Sequence, residues 1–282
     1  MIRWCSYCQT FMGSIAPFKD FRLSHGICDT CRPKVLTEDD FAKKAQRFAE
    51  IFQETWDRAV SCRIEDIGEL FAKLQPLGLS NSDFLFAIVA RQLEQVGCLF
   101  ANNEFTVMAE HRFTNFVEGA LSYIHLNRLR SPSERDSFDT EASRPDVMLA
   151  CADGNYHAIG IRILEEALND SGLSCVAVFP SLPIQELLGA VDRYRPKVLG
   201  VSFSDNNQFV QLEALRNFIS YKGSVEGADI PQLICGGGVW EAAPAHIKSL
   251  ADLPWDSRDF KKSIEMLRSA IRDRSPIIQK AS

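Results

Sequence analysis

From Val147 onward the chain alternates between two periods, and this alternation constrains its fold more than any other feature. Short apolar runs, VMLACA (147–152), SCVAVF (174–179), KVLGVSF (197–203) and QLICG (232–236), are separated by segments of helical spacing near 157–170, 183–194 and 206–221, with another near 259–272. Runs this short and this rich in valine, leucine and isoleucine read as buried strands. Strands alternating with helices specify a parallel sheet joined by right-handed crossovers. In such a sheet ligands collect beyond the carboxyl ends of the strands. The residues that follow each run are therefore the first candidates for binding.

The N-terminal half has a different pattern. Thr37 precedes Glu38-Asp39-Asp40, an N-cap with acids in the first turn, and Phe41, Ala45, Phe48, Ile51, Phe52, Trp56 and Val60 then recur at helical spacing. Further helices are expected near Ile64–Leu74, from Ser80 through Val96, and from about Thr106 to Leu129. Four amphipathic helices with short links suggest a bundle. The polar stretch RSPSERDSFDTEASRPD then loses the helical period. The expected division is a small module at 1–35, a helical bundle at 36–130, a linker at 131–145 and a Rossmann-like parallel-sheet domain at 146–282. The fold class is thus α/β, a bundle followed by a sheet domain, with a small N-terminal zinc-binding module.

That module is defined by its cysteines. Cys5-x-x-Cys8 and Cys28-x-x-Cys31 are separated by 19 residues, a spacing typical of a tetrahedral four-thiolate Zn2+ site. A unit of this size buries too little apolar surface to fold unaided, so a metal staple makes physical sense. His25 is an alternative ligand, and two redox pairs are the other reading of the same spacing. The remaining cysteines, Cys62, Cys98, Cys151, Cys175 and Cys235, lie in apolar segments and read as core thiols of a reducing compartment. The start MIRWCSYC lacks the pattern of a signal peptide, and no apolar run reaches the ~20 residues of a bilayer span. A cytoplasmic location without membrane contact is expected. The net charge is −6 and no basic block accumulates, which disfavours direct DNA binding. The module offers few cations, so a protein contact is the first choice for it.

The first apolar run leads into Asp153-Gly-Asn-Tyr-His157-Ala-Ile-Gly160, the third into Ser202-Phe-Ser204 and the fourth into Gly236-Gly-Gly238. In this order and spacing the segments resemble the cobalamin-binding domain of methionine synthase, corrinoid methyltransferase carriers and B12 photoreceptors. That family has a D/E-x-H-x-x-G motif, then a serine, then paired glycines, and here the first motif reads N-Y-H-A-I-G. The resemblance covers residues 146–282. It implies that His157 is the lower axial ligand to cobalt and that Gly160 completes its motif. It further implies that Gly236 and Gly237 let the backbone approach the nucleotide tail, and that Ser202 and Ser204 donate hydrogen bonds nearby. Asn155 stands where the family has an acid. An amide orients the imidazole but adds less negative charge, and Asp153 is a candidate to compensate.

The bundle carries Phe100, nine residues, then Glu110-His111. This resembles the W-x9-E-H motif of light-sensing B12 regulators of the CarH and LitR type, whose bundle covers the upper face of the corrin. The resemblance implies that Phe100, Glu110 and His111 form the upper wall. The photoreceptors place a cobalt-capturing histidine after their tryptophan; Ala101 stands here, which leaves His111 as the nearest substitute for the upper ligand and His125 as a weaker one. The implied function is a non-enzymatic B12-dependent sensor that signals to a protein partner, a transcription factor or signalling protein, with a homo-oligomer among the forms it could take. Antirepressor-like regulators of photosynthesis genes also have a cobalamin domain without a DNA-binding head. A corrinoid carrier in methyl transfer, or a haem sensor using His157, are the rival readings.

Overall fold

A computed structural model describes residues 1–5, 10–17, 19–28, 31, 38–130, 144–225, 229–256 and 260–273. Cys8 and nearly all of the expected linker lie outside the described residues. The chain forms two compact units, Met1–Asp136 with Ser257–Phe260, and Ser137–Asp256 with Lys261–Ser282.

The first unit opens with a small sheet that has no counterpart in the sequence expectations: β1 (Ile2–Cys5), β2 (Thr10–Ser14) and β3 (Leu23–Gly26), in the order β2-β1-β3. β1 pairs antiparallel with β2 and parallel with β3. Four helices follow, α1 (Glu38–Ser61), α2 (Ile67–Leu74), α3 (Asn81–Ala101) and α4 (Val107–Arg130). The start of α3 is set locally: Ser80 Oγ accepts from the Asp83 N–H at 3.0 Å, and the Asp83 carboxylate accepts from the Ser80 N–H at 3.4 Å. Phe84–Val89 then adopt π-helical geometry, and all six residues are buried. The wider turn distributes consecutive apolar side chains around the axis where a single stripe would expose some of them. α3 is long and apolar enough to cross a bilayer, but half of it is buried within the protein, as in a core helix.

In the second unit the strands are β4 (Val147–Cys151), β5 (Cys175–Val178), β6 (Val198–Ser202) and β7 (Gln232–Gly236). All pair in parallel, in the order β5-β4-β6-β7. The intervening helices are α5 (Ile159–Asp170), α6 (Ile184–Tyr194) and α7 (Phe209–Val225), followed by α8 (Ala245–Lys248) and α9 (Phe260–Asp273). The Rossmann-like expectation is met in element order and strand placement. One sheet face presents Met148, Ala150, Leu199, Val201, Phe203, Leu233 and Cys235 to α6, α7 and α8, through Leu187, Val191, Leu212, Leu215 and Ile247. The opposite face carries Val147, Leu149, Cys151, Val198, Gly200, Ser202, Ile234 and Gly236, and α5 packs against β4 and β5. The chain leaves β4 toward β5 and then crosses to β6 on the other side. A topological switch point, the usual place for a ligand in this architecture, therefore opens between the carboxyl ends of β4 and β6.

Candidate functional site

The histidine loop sits at that switch point, and its backbone is fixed from three sides. Asn155 is fully buried. Its Nδ2 donates to the Ser202 carbonyl at 2.8 Å, which ties the loop to the end of β6, and its Oδ1 accepts from the His157 N–H at 2.9 Å. Gln211 of α7 accepts from the Asp153 N–H at 2.8 Å and donates to the Asp153 carbonyl at 3.0 Å. Ser181, after β5, makes three contacts: its Oγ accepts from the Gly154 N–H at 2.8 Å and donates to Asp153 Oδ1 at 3.1 Å, and its N–H donates to the Asn155 carbonyl at 2.9 Å. Gly154 takes φ +79°, a conformation that favours glycine.

The His157 side chain is exposed, and its imidazole makes no hydrogen bond with the described residues. Asn155 thus positions the backbone of His157 and leaves both ring nitrogens available. Asp153 Oδ1 accepts from Ser181 Oγ, and among the described residues no hydrogen bond joins this carboxylate to the His157 imidazole. Ser181 and Gln211 are site-building residues that the sequence reading missed. Nothing local marks them, because their partners lie 27 and 58 residues away.

Register places Cys151, Ser202 and Gly236 side by side on neighbouring strands at the carboxyl edge, with Leu149, Gly200 and Ile234 one layer below. The result is a strip of small side chains. The two glycines read together from sequence play different parts. A Cβ on Gly236 would meet nothing within 4 Å, whereas one on Gly237 would lie 2.1 Å from the Phe203 carbonyl oxygen, and Gly237 has φ +102°. Gly237 is required by its own chain, while Gly236 borders open space. Gly160, in the first turn of α5, also borders open space. Ser204 is held by the turn that leads into α7: its N–H donates to Gln208 Oε1 at 2.8 Å, and its Oγ accepts from Gln208 Nε2 at 3.5 Å. Burial pushes the Cys151 thiol up to about 11, although a backbone contact from Ser181 opposes the shift.

In the helical unit, Phe100 lies in the last turn of α3 and is 45% exposed. Thr106 caps the start of α4, with its Oγ1 accepting from the Ala109 N–H at 3.2 Å. Glu110 and His111 lie in the first turns of α4, with Glu110 Oε2 2.6 Å from His111 Nδ1. That contact occupies one ring nitrogen and leaves Nε2 unengaged by the described residues. Trp56, Phe105 and Phe113 form an aromatic cluster in the same unit, with ring centroids 6.1 and 5.4 Å from Trp56.

The described N-terminal cysteines converge. The Sγ atoms of Cys5, Cys28 and Cys31 lie within 4.8 Å of one another, a donor set able to hold a soft metal ion.

No family model and no curated protein matches the sequence. Solved structures are similar to the chain. The monomethylamine corrinoid protein of Methanosarcina barkeri superposes with a TM-score of 0.56 at 14% identity, over 77% of this chain and 99% of that one. The methanol:cobalamin methyltransferase complex MtaBC from Methanosarcina barkeri follows at 0.39 and 16%, over 88% and 93%. A cobalamin-binding protein from Desulfitobacterium hafniense DCB-2 gives 0.36 and 16%, over 78% and 98%. At such identities the likeness is one of fold, and the first superposition is the one close enough to argue from.

Proposed function

We propose that the chain binds a cobalamin at the switch point of the sheet, with His157 as the lower ligand to cobalt, and works as a B12-dependent light sensor. The observation that carries the cobalamin part of this reading is the loop between β4 and α5. It presents an unengaged imidazole on a braced backbone, beside a strip of small residues that borders open space at Gly236. The residues fit such a cofactor. His157 offers the nitrogen donor, and the strip of Cys151, Ser202 and Gly236 provides width for a nucleotide tail that a larger side chain would fill. Cys151 is fully buried, and burial pushes its thiol up to about 11, so it is a neutral, small lining residue of the strip. When bound, the group supplies a cobalt centre whose upper bond can be broken by light or by a nucleophile. Phe100, Glu110 and His111 are read as the upper wall. Glu110 holds His111 Nδ1, which leaves Nε2 as the candidate upper donor. The signal passes to a protein partner in the cytoplasm, a transcription factor or signalling protein, without catalytic turnover. A structural zinc at Cys5, Cys28 and Cys31, completed by Cys8, belongs to the same reading.

A corrinoid carrier for methyl transfer is the second reading. It is supported by the likeness to the monomethylamine corrinoid protein, which spans 99% of that protein. The absorption spectrum of the purified chain separates a corrinoid from haem. His157→Ala is expected to move the bound corrinoid to its base-off spectrum or to abolish binding. An unchanged spectrum and affinity would refute His157 as the ligand.

A further inference from the structure

We infer that zinc at Cys5, Cys28 and Cys31 is a clasp for the whole helical unit, reaching α1 through Trp4 and Phe48, and not a staple confined to the first 35 residues. The inference rests on the zinc assignment above and adds a consequence for the bundle. β1 and β3 run parallel with Cys5 opposite Gly26, so Cys28 follows two residues beyond that register. A turn closed by the Cys31 N–H on the Cys28 carbonyl, 3.0 Å, brings Cys31 back to the same point. Sulfurs in a tetrahedral zinc shell stand about 3.8 Å apart, from Zn–S bonds of about 2.3 Å. Three sulfurs already within 4.8 Å need to close by an ångström or less. The Cys28 N–H donates to Cys5 Sγ at 3.4 Å, a contact that draws the Cys28 backbone to the first cysteine, and each thiol releases its proton as the metal binds.

The strand that carries Cys5 has two working faces. Successive side chains alternate, so Trp4 points away from the metal side. The Trp4 ring stacks on Phe48 of α1 with centroids 3.7 Å apart and planes at 18°, and both residues are fully buried. Ile2, on the same face as Trp4, is 1% exposed. The ion fixes one side of β1, and the other side is part of the core around α1, which in turn packs against α4.

The test uses the full chain. Metal analysis is expected to give about one zinc per protein. Stripping the zinc should raise amide exchange in α1 around Phe48–Thr55 at least tenfold, and adding zinc back should restore protection. Phe48→Ala should still bind zinc, but its α1 exchange should no longer respond to the metal. Protein that holds no zinc, or holds iron in its place, overturns both the zinc assignment and the clasp. Zinc present with α1 exchange unchanged on stripping overturns the clasp alone.

Discussion

Asn155 meets two demands at once without any change of protonation. Its Nδ2 must donate to the Ser202 carbonyl, and its Oδ1 must accept from the His157 N–H. A carboxylate would satisfy the second demand and set oxygen against oxygen at the first, in a fully buried position. The departure from the acid of the resembled motif therefore has a structural reason. Asn155→Asp is expected to cost about 2–4 kcal/mol, the penalty of a buried unpaired acceptor, as read by denaturant unfolding; a cost under about 0.5 kcal/mol would show that the Ser202 contact does not matter. The adjacent glycines give a matched pair. Gly237→Ala forces a Cβ onto the Phe203 backbone at positive φ and should destabilise by about 3 kcal/mol or more. Gly236→Ala meets open space, so stability should change by less than about 1 kcal/mol while corrinoid affinity falls. Equal effects of the two on folding would contradict the geometry.

At the level of elements, α1 is joined to α2 by charge as well as by apolar packing. Arg58 of α1 is almost fully buried. It donates to Glu54 at 2.6 Å and to the Asp66 carbonyl at 2.6 Å, and lies 3.5 Å from Glu69, while Lys73 of α2 donates to Glu54 at 2.7 Å. Burial works against charge on Glu54, but the bonds from Lys73 and Arg58 outweigh it and hold the carboxyl below its usual 4.5. A group ionising more readily when folded stabilises fully above its unfolded value, and that contribution is lost as pH falls through the folded value. The helical unit should therefore lose stability as pH drops below about 4.5. Glu54→Gln should be less stable at neutral pH and show a flatter acid response; an equally steep response would exclude Glu54 as its source. The helix starts were legible in the sequence because capping is local, as at Ser80 and Thr106. The four strands of the larger sheet were legible because each is a continuous apolar run. β1, β2 and β3 were not, since strands of four or five residues among cysteines and glycines take their identity from distant partners. The π-helical stretch of α3 was hidden for a similar reason: six consecutive buried residues carry no helical period. The motif pointed to His157, Ser202 and Gly236, which the structure places at the carboxyl end of the sheet, whereas the bracing by Ser181 and Gln211 arises only once the sheet has formed.

At the scale of the whole molecule, the question is whether the two units exchange information or only share a chain. In a sensor, residues of the helical unit must respond when the ligand held by the sheet unit changes state. The first turn of α4 is a suitable reporter, because its leading N–H groups lack intrahelical partners and depend on Thr106 for protection. Loading the protein with an alkylcobalamin in the dark should slow amide exchange at Val107–Phe113, and illumination should change it again. His111→Ala should retain the dark effect and lose most of the response to light, since the ring nitrogen left unengaged by Glu110 is then missing. In a methyl carrier, by contrast, the alkyl group is passed to a nucleophile in darkness, and light adds nothing beyond damage. Exchange in α4 that is indifferent to illumination, together with dark loss of the methyl group to an added thiol, would favour the carrier reading and end the sensor one. His157 would keep its assignment in either case, because its test is the base-off spectrum and not the response to light.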